Sequence, residues 1–110
     1  MQPLLAVIIP AHNEESEISK TLESLKACLD IKVVVVADNC TDNTEQIARQ
    51  FGVRVLARND LSRIGKPYAL MHALNVLMQE GFPYFAFIDA DTLVEPNFAS
   101  VLLDEFAKGA

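Results

Sequence analysis

The sequence is short of basic residues and of long apolar stretches. Its 110 residues carry nine Lys and Arg against fifteen Asp and Glu, a net charge of −6 that argues against a general nucleic-acid-binding protein. No apolar run approaches the roughly 18 residues of a membrane span, and the first residues lack the basic segment of a signal peptide. We therefore expect a cytoplasmic location, with membrane association left open for a full-length protein.

Cysteine is scarce as well. Cys28 and Cys40 are the only two, and they lie far from the spacing of a C-x-x-C pair. This distribution predicts ordinary reduced thiols rather than a disulfide framework. One chain of this length, 51% of it hydrophobic, is typical of a single domain with its own core, so residues 1–110 are predicted to form one domain.

Short apolar runs alternate with helical patterns along the whole chain. Strands are predicted over residues 4–9, 33–37, 53–57 and 84–88, and Pro10 is expected to stop the first. Helices are predicted over about 14–28 with Asn13 as N-cap, from an Asp42–Glu45 capping box to Gly52, from Pro67 to Gly81, and after Pro96. The alternation predicts an α/β fold: a Rossmann-like parallel sheet of order 3-2-1-4 with helices on both faces.

Several apolar side chains are predicted to face the core because they recur at helical spacing. In the first helix these are Ile18, Leu22, Leu25 and Leu29. Packing is also expected for Met71 and Met78 in the third helix, and for Val101, Leu102 and Phe106 in the last.

Two carboxylates follow the last strand. The apolar run that ends at Ile88 leads directly into Asp89-Ala90-Asp91. Side chains two residues apart on an extended backbone point the same way, so Asp89 and Asp91 are expected to face one site. Close carboxylates repel each other unless a cation or a shared proton lies between them, and Mg²⁺ or Mn²⁺ prefers such oxygen ligands. The alternative is a strand end with two solvated aspartates.

Polar residues also follow the other three strands, at Pro10 to Glu14, at Asp38-Asn39, and from Arg58 to Lys66. In open α/β sheets the ligand binds beyond the carboxyl ends of the strands, near the point where the strand order reverses. All four predicted loops lie at that edge of the sheet. Their convergence favours a metal-dependent site there.

Other phosphate and metal motifs do not match. The first loop contains no glycine, which excludes a G-x-G-x-x-G fingerprint, and no G-x-x-x-x-G-K-[ST] occurs. Asp89 does not open an EF-hand, because the fifth, sixth and twelfth positions are Leu93, Val94 and Ser100. A phosphatase of the haloacid dehalogenase type stays a distant alternative, since its threonine position is Leu93 here.

Four segments, in order, resemble the family 2 glycosyltransferases, which have the GT-A fold. The segments read VIIPAHNEE from Val7, VADNCTDNT from Val36, GKPYAL from Gly65 and IDADT from Ile88. The resemblance covers almost the whole chain and is greatest to members of bacterial exopolysaccharide biosynthesis. It implies a nucleotide-sugar donor, often UDP-linked.

The resemblance also implies roles for individual residues on the donor. The loop that contains Pro10, Ala11, Asn13 and Glu14 would lie against the base and the ribose. Asp38 would accept a hydrogen bond from the uracil imide. Lys66 matches the family's loop lysine near the donor. Arg58 or Arg63 could help with the diphosphate charge, although such arginines are more typical of solvated loops.

Asp89, Ala90 and Asp91 match the family's D-x-D motif. Asp91 would ligate Mn²⁺ or Mg²⁺ directly, and Asp89 would lie nearer the ribose or the waters of the metal. The metal would bridge the diphosphate and stabilise the leaving UDP.

Family members are longer than this chain, and the remainder supplies the acceptor site and a general base that no residue here matches. We therefore expect the donor-nucleotide-binding part of a glycosyltransferase, inactive alone, whose glycan acceptor binds through a missing region. The alternative is a non-catalytic module that binds nucleotide or self-associates. An open fourth-strand edge with Tyr84, Phe85 and Phe87 is expected to form a homo-oligomer.

Overall fold

The computed structural model describes residues 2–109, which form a four-stranded parallel sheet in the order β3-β2-β1-β4. The predicted fold class and strand order are thus confirmed. The elements in chain order are β1 (Leu5–Ala11), α1 (Ile18–Leu25), β2 (Ile31–Asp38), α2 (Thr44–Gln50), β3 (Arg54–Arg58), α3 (Lys66–Gln79), β4 (Tyr84–Phe87) and α4 (Phe98–Ala107). Within the described residues, no helix combines the length and the apolar character that crossing a membrane requires.

The sheet is covered on both faces, as predicted. Alternate residues of β1 point to opposite sides. Leu5, Val7 and Ile9 join the core that lies under α1, α2 and α4, whereas Ala6 and Ile8 join the core that lies under α3. All five are fully buried. A strand that packs on both faces must be apolar at every position, which is why β1 reads as an uninterrupted apolar run.

Pro10 does not stop β1, contrary to the prediction, because the strand continues through it to Ala11. In a parallel sheet the N–H and C=O groups of one residue point toward the same neighbouring strand, and successive residues alternate. The Ile8 carbonyl accepts a hydrogen bond from the Ile88 N–H at 3.1 Å, so Ile8 and Pro10 both point to the side of β4. Since β4 ends at Phe87, the missing N–H of Pro10 interrupts no ladder.

α1 is shorter than predicted and begins at Ile18, after a turn closed by the Ile18 N–H and the Glu14 carbonyl at 2.9 Å. Asn13 is not its N-cap. The backbone of Asn13 has a φ of 52°, in the left-handed region, and its side chain contacts the loop after β2 instead. The helix ends at Leu25, so Leu29 lies beyond it and is 79% exposed rather than buried.

The predicted capping box of α2 forms only in part. Asp42 Oδ1 accepts a hydrogen bond from the Thr44 N–H at 3.0 Å. Glu45 does not reach back and instead pairs with Arg49 at 2.9 Å.

The prediction of inward packing in α3 and α4 was right for Leu102 and Phe106, whereas three of the apolar side chains are exposed: Met71, Met78 and Val101.

β4 forms one edge of the sheet, since among residues 2–109 it pairs only with β1. Tyr84 stacks on Phe106 of α4 with 4.7 Å between the ring centroids, and Phe85 packs against the core under α3. Only Phe87 of the three aromatic residues is half-exposed. The apolar surface at this edge is therefore smaller than the sequence suggests.

Leu22 and Leu29 provide a matched test of this core, because both were predicted to be buried and only Leu22 is. Leu22→Ala should lower the free energy of unfolding by about 2–5 kcal/mol through lost burial and a residual cavity. Leu29→Ala should change it by less than about 0.5 kcal/mol. Urea unfolding of both variants measures the difference, and equal losses would contradict the packing described here.

Candidate functional site

Hydrogen bonds join the loops that follow β1 and β2. Asn13 Oδ1 accepts from the Thr41 N–H at 2.8 Å and from the Asp42 N–H at 3.3 Å. The Glu14 N–H donates to Thr44 Oγ1 at 2.8 Å. Because the two loops share these hydrogen bonds, each loop holds the other in position beside the site.

Asn39 joins the loops that follow β2 and β3. Its side-chain oxygen accepts from the Asp60 N–H at 2.7 Å, and its Nδ2 donates to the Asp60 carbonyl at 3.2 Å. Its own N–H donates to the Arg58 carbonyl at 2.7 Å. Asn39 is buried and has a φ of 51°, a conformation that asparagine adopts more readily than most residues. Its polar groups are satisfied within the protein, so it acts as a structural residue.

Asp38 and Arg58 end β2 and β3 and are directly paired in the ladder, so their side chains lie on the same face of the sheet. Arg58 Nη1 donates to Asp38 Oδ1 at 2.6 Å, and the two side chains are only 11% and 5% exposed. The guanidinium also lies 3.8 Å from an Asp60 oxygen and 5.6 Å from the centre of the Tyr68 ring. The expectation that Arg58 is a solvated loop charge was therefore wrong.

A cavity of about 160 Å³, here called the inner cavity, opens at this edge of the sheet. Asp38 lies in its wall, and His12 Nδ1 donates to the Asp38 carbonyl oxygen at 2.9 Å. The wall consists of Pro10, Ala11, His12, Glu14, Asp38, Ile64, Gly65, Lys66 and Ala69. Mostly apolar walls with a few fixed polar groups are typical of small-molecule sites.

A second depression of about 230 Å³, here called the outer groove, lies beside the inner cavity and shares Pro10 and Lys66 with it. Its wall consists of Pro10, Lys66, Leu70, Phe87, Ile88, Asp89 and Thr92. Gly65 has a φ of 123°, a conformation that favours glycine, and it places Lys66 at the start of α3 between the two spaces.

Lys66 carries the positive charge of the outer groove. Its Nζ donates to Asp89 Oδ1 at 2.5 Å. This hydrogen bond, followed by the charge of Asp89 and those of the more distant Asp91 and Glu14, raises the pKa of Lys66 above its ordinary value. Lys66 therefore remains an ammonium ion at neutral pH and lies among three carboxylates.

Asp89 and Asp91 do not lie on an extended strand, so that premise of the prediction was wrong. β4 ends at Phe87, and the Thr92 N–H donates to the Asp89 carbonyl at 3.0 Å to close a turn. Ala90 is buried at the centre of this turn, and its carbonyl accepts from Thr21 Oγ1 at 2.7 Å. Both aspartates are exposed. No three Asp, Glu, His or Cys side chains within residues 2–109 are grouped as a metal site.

The structure brings most of the predicted site residues together. Five line the inner cavity: Pro10, Ala11, Glu14, Asp38 and Lys66. Asp89 lines the outer groove, whereas Asn13, Ala90 and Asp91 line neither space. Sequence reasoning named Arg58 only as a candidate for the diphosphate charge and favoured a solvated loop residue. Its position at the end of a strand adjacent to β2 was a usable signal for the pairing with Asp38.

The sheet order and this cavity at the carboxyl edge are those of a Rossmann-like α/β protein, the class that includes the GT-A fold. The family model described as Glycosyl transferase family 2 matches residues 6–110. The chain therefore belongs to glycosyl transferase family 2.

Similar proteins agree with this assignment. A 4,4'-diaponeurosporenoate glycosyltransferase of Staphylococcus haemolyticus is 34% identical over 94% of this chain. The Mycobacterium tuberculosis glucosyl-3-phosphoglycerate synthase, crystallised with Mn²⁺, UDP and glucosyl-3-phosphoglycerate, superposes with a TM-score of 0.78 at 29% identity over 94% of this chain. Staphylococcus aureus TarS residues 1–349 gives a TM-score of 0.74 at 27% identity over 96% of this chain. The chain spans 28%, 39% and 33% of these three proteins, respectively.

The Asp42 carboxylate supports the joined loops in a pH-dependent way. Partial burial alone would raise the pKa of Asp42, but hydrogen bonds from the Thr44 hydroxyl and from the Thr44 and Glu15 amides outweigh this effect. The pKa of Asp42 is consequently lowered below its ordinary value of 3.8. Its contribution to stability is thus present above pH 3.8 and is lost as the pH falls through the lower pKa of the folded state.

We expect Asp42→Asn to lower the free energy of unfolding by about 0.5–1 kcal/mol at neutral pH, the scale of a partly exposed hydrogen-bonded charge. The deficit relative to wild type should shrink as the pH falls below 3.8. Urea unfolding from about pH 7 to about pH 2.5 measures this dependence. Asp104→Asn on the exposed side of α4 is the control, and a deficit of Asp42→Asn that stays constant over this range would contradict the assigned role.

Proposed function

We propose that this chain binds the nucleotide part of a nucleotide-sugar donor, UDP-linked, for a family 2 glycosyl transfer. The observation that carries the proposal is the continuity of two different spaces: an apolar inner cavity with a buried carboxylate, and an outer groove with a cation. Pro10 and Lys66 line both spaces. A nucleoside diphosphate has the same division, with a flat base at one end and negative charge at the other.

The inner cavity suits the base. Its volume of about 160 Å³ is below the roughly 300–1,000 Å³ of a site for a whole drug-sized ligand, so it accommodates one ring rather than a nucleotide. Pro10, Ala11, Ile64 and Ala69 supply apolar wall against the ring. Asp38 supplies an acceptor for an N–H group, which a uracil imide presents. The crystal structures of the mycobacterial synthase and of TarS with UDP support this choice of base.

The outer groove suits the diphosphate. Lys66 is the cation nearest both spaces, and its ammonium is held by Asp89 in this structure. A phosphate oxygen can replace the carboxylate as its partner without leaving the charge unpaired. Glu14 lines the inner cavity, and we propose that it accepts a hydrogen bond from a ribose hydroxyl.

The exposed carboxylates of Asp89 and Asp91 fit a divalent cation. Both supply the hard oxygen atoms that Mg²⁺ and Mn²⁺ take, and a two-carboxylate site leaves positions for water and for phosphate oxygen. The Lys66 ammonium contacts Asp89 in this structure, so a metal would take this carboxylate when a phosphate oxygen replaces Asp89 as the partner of Lys66. When bound, the metal would supply positive charge to the leaving diphosphate. The mycobacterial synthase was crystallised with UDP and either Mn²⁺ or Mg²⁺.

For the whole protein we propose transfer of the sugar to a hydroxyl group of a glycan, of the exopolysaccharide type that the family resemblance implies. The general base and the acceptor site are expected outside residues 1–110. The competing proposal is a module that binds nucleotide without transfer, and the two are distinguished by sugar transfer in a longer protein that contains this domain.

Calorimetric titration of UDP with and without Mn²⁺ is the direct test. Wild type should bind UDP more tightly with Mn²⁺, and Asp91→Ala should weaken the metal-dependent binding by about tenfold or more, the scale of one charge-assisted contact. Asp104→Ala removes an equal charge from the exposed side of α4 and should leave binding unchanged.

Two results would count against the proposal. Failure of folded wild type to bind UDP in the presence of Mn²⁺ would overturn nucleotide binding by this chain. Equal metal-dependent binding by wild type and Asp91→Ala would keep the nucleotide site but remove Asp91 from the metal.

We also propose that the open edge of β4 pairs with a second copy of this chain, because a strand edge has unpaired backbone groups and Phe87 is half-exposed beside it. Sedimentation should then show association that rises over a tenfold range of concentration. Phe87→Lys places a charge at the edge and should shift the protein to monomer. A clean monomer of wild type over the whole range would refute the contact.

A further inference from the structure

The two carboxylate oxygens of Asp38 are not equivalent. Oδ1 accepts a hydrogen bond from Arg58 at 2.6 Å, whereas Oδ2 receives none from any group within residues 2–109. In that same part of the chain, no side-chain oxygen or nitrogen atom is both fully enclosed and without a partner. Oδ2 is therefore not fully enclosed. Because Asp38 lines the inner cavity, we infer that Oδ2 is accessible from this cavity.

Arg58 is held in place by more than Asp38. Its guanidinium lies 3.8 Å from Asp60 and 5.6 Å from the centre of the Tyr68 ring, and its side chain is only 11% exposed. Its backbone carbonyl accepts the Asn39 N–H. These contacts fix the guanidinium at Oδ1, which leaves Oδ2 as the oxygen of Asp38 that has no donor within residues 2–109.

A carboxylate with one available oxygen discriminates between nucleobases. Uracil presents a single imide N–H between two carbonyl groups, so one acceptor satisfies it. Guanine presents two adjacent donors, N1–H and N2–H, which are matched by both oxygens of a free carboxylate. A buried donor left without an acceptor is costly, so a site with one oxygen disfavours guanine.

We propose that Arg58 is a positioning residue that restricts Asp38 to one acceptor oxygen and thereby selects an imide base such as uracil over guanine. This inference rests on the proposed function, because it requires the base to occupy the inner cavity. Arg58 itself does not touch the nucleotide. It acts by occupying Oδ1, and its loss would release that oxygen to the cavity.

The test compares the dissociation constants of UDP and GDP, measured with Mn²⁺, for wild type and variants of Arg58. Wild type should prefer UDP. In Arg58→Met the ratio of the GDP to the UDP dissociation constant should fall by about tenfold, the scale of one charged hydrogen bond gained by guanine. Arg63→Met is the control, because it removes an exposed arginine from the loop that follows β3. UDP and GDP share the diphosphate, so any contact of Arg63 with it would affect both nucleotides and leave the ratio unchanged.

Arg58→Met leaves the buried Asp38 without its partner and is expected to lose stability. Arg58→Lys is therefore the second variant. A lysine keeps the positive charge but lacks the planar group that contacts Asp60 and Tyr68 together, so it should fold and give an intermediate ratio. Circular dichroism and urea unfolding show which variants are folded.

The outcomes separate the inference from the function on which it rests. Wild type that binds neither nucleotide overturns both. Wild type that binds UDP while a folded Arg58 variant keeps the wild-type ratio overturns only the role of Arg58. Wild type that binds GDP as tightly as UDP also overturns the role of Arg58, whatever ratio the variants give. A ratio that falls in Arg58→Lys but not in Arg63→Met supports the inference.

Discussion

Burial of β1 and β2 on both faces of the sheet determines where this protein can place polar chemistry. Leu5 to Ile9 and Val34 to Val36 are fully buried, so none of these positions can carry a polar side chain without a partner. The first polar side chain after the second run is Asp38, at the carboxyl end of β2. The site is consequently confined to the loops at that edge, where the strands leave the core.

These loops are ordered by polar contacts rather than by apolar packing. Asn13 and Asn39 both adopt left-handed backbone conformations and direct their side-chain oxygens to N–H groups of neighbouring loops. Each loop is thereby fixed by the next, which keeps Asp38 and Lys66 in place without a ligand. The polar residues of this edge thus divide into those that hold the loops and those that remain accessible to a ligand.

The fold follows from the sequence because apolar periodicity and turn residues report the sheet and its crossovers directly. The positions of Asp38 and Lys66 were predictable for the same reason. Asp38 follows the apolar run of β2 and Lys66 precedes the apolar pattern of α3. Which polar residues hold the loops and which remain accessible to a ligand was not predictable. Asn13 and Arg58 look like a helix cap and a solvated charge until the register of β2 against β3 and the path of the loops are known. The turn at Asp89 was missed because β4 is shorter than its apolar run.

The charges of the outer groove would connect nucleotide binding with metal binding under the proposed function. Lys66 lies among Asp89, Asp91 and Glu14, so one ammonium faces three carboxylates. A diphosphate would add further negative charge at the same place, where it would be repelled by these carboxylates. Lys66 cannot neutralise both the carboxylates and the diphosphate. Under the proposed function, a divalent cation between them would convert these repulsions into attractions, so the metal and the nucleotide would bind this edge together.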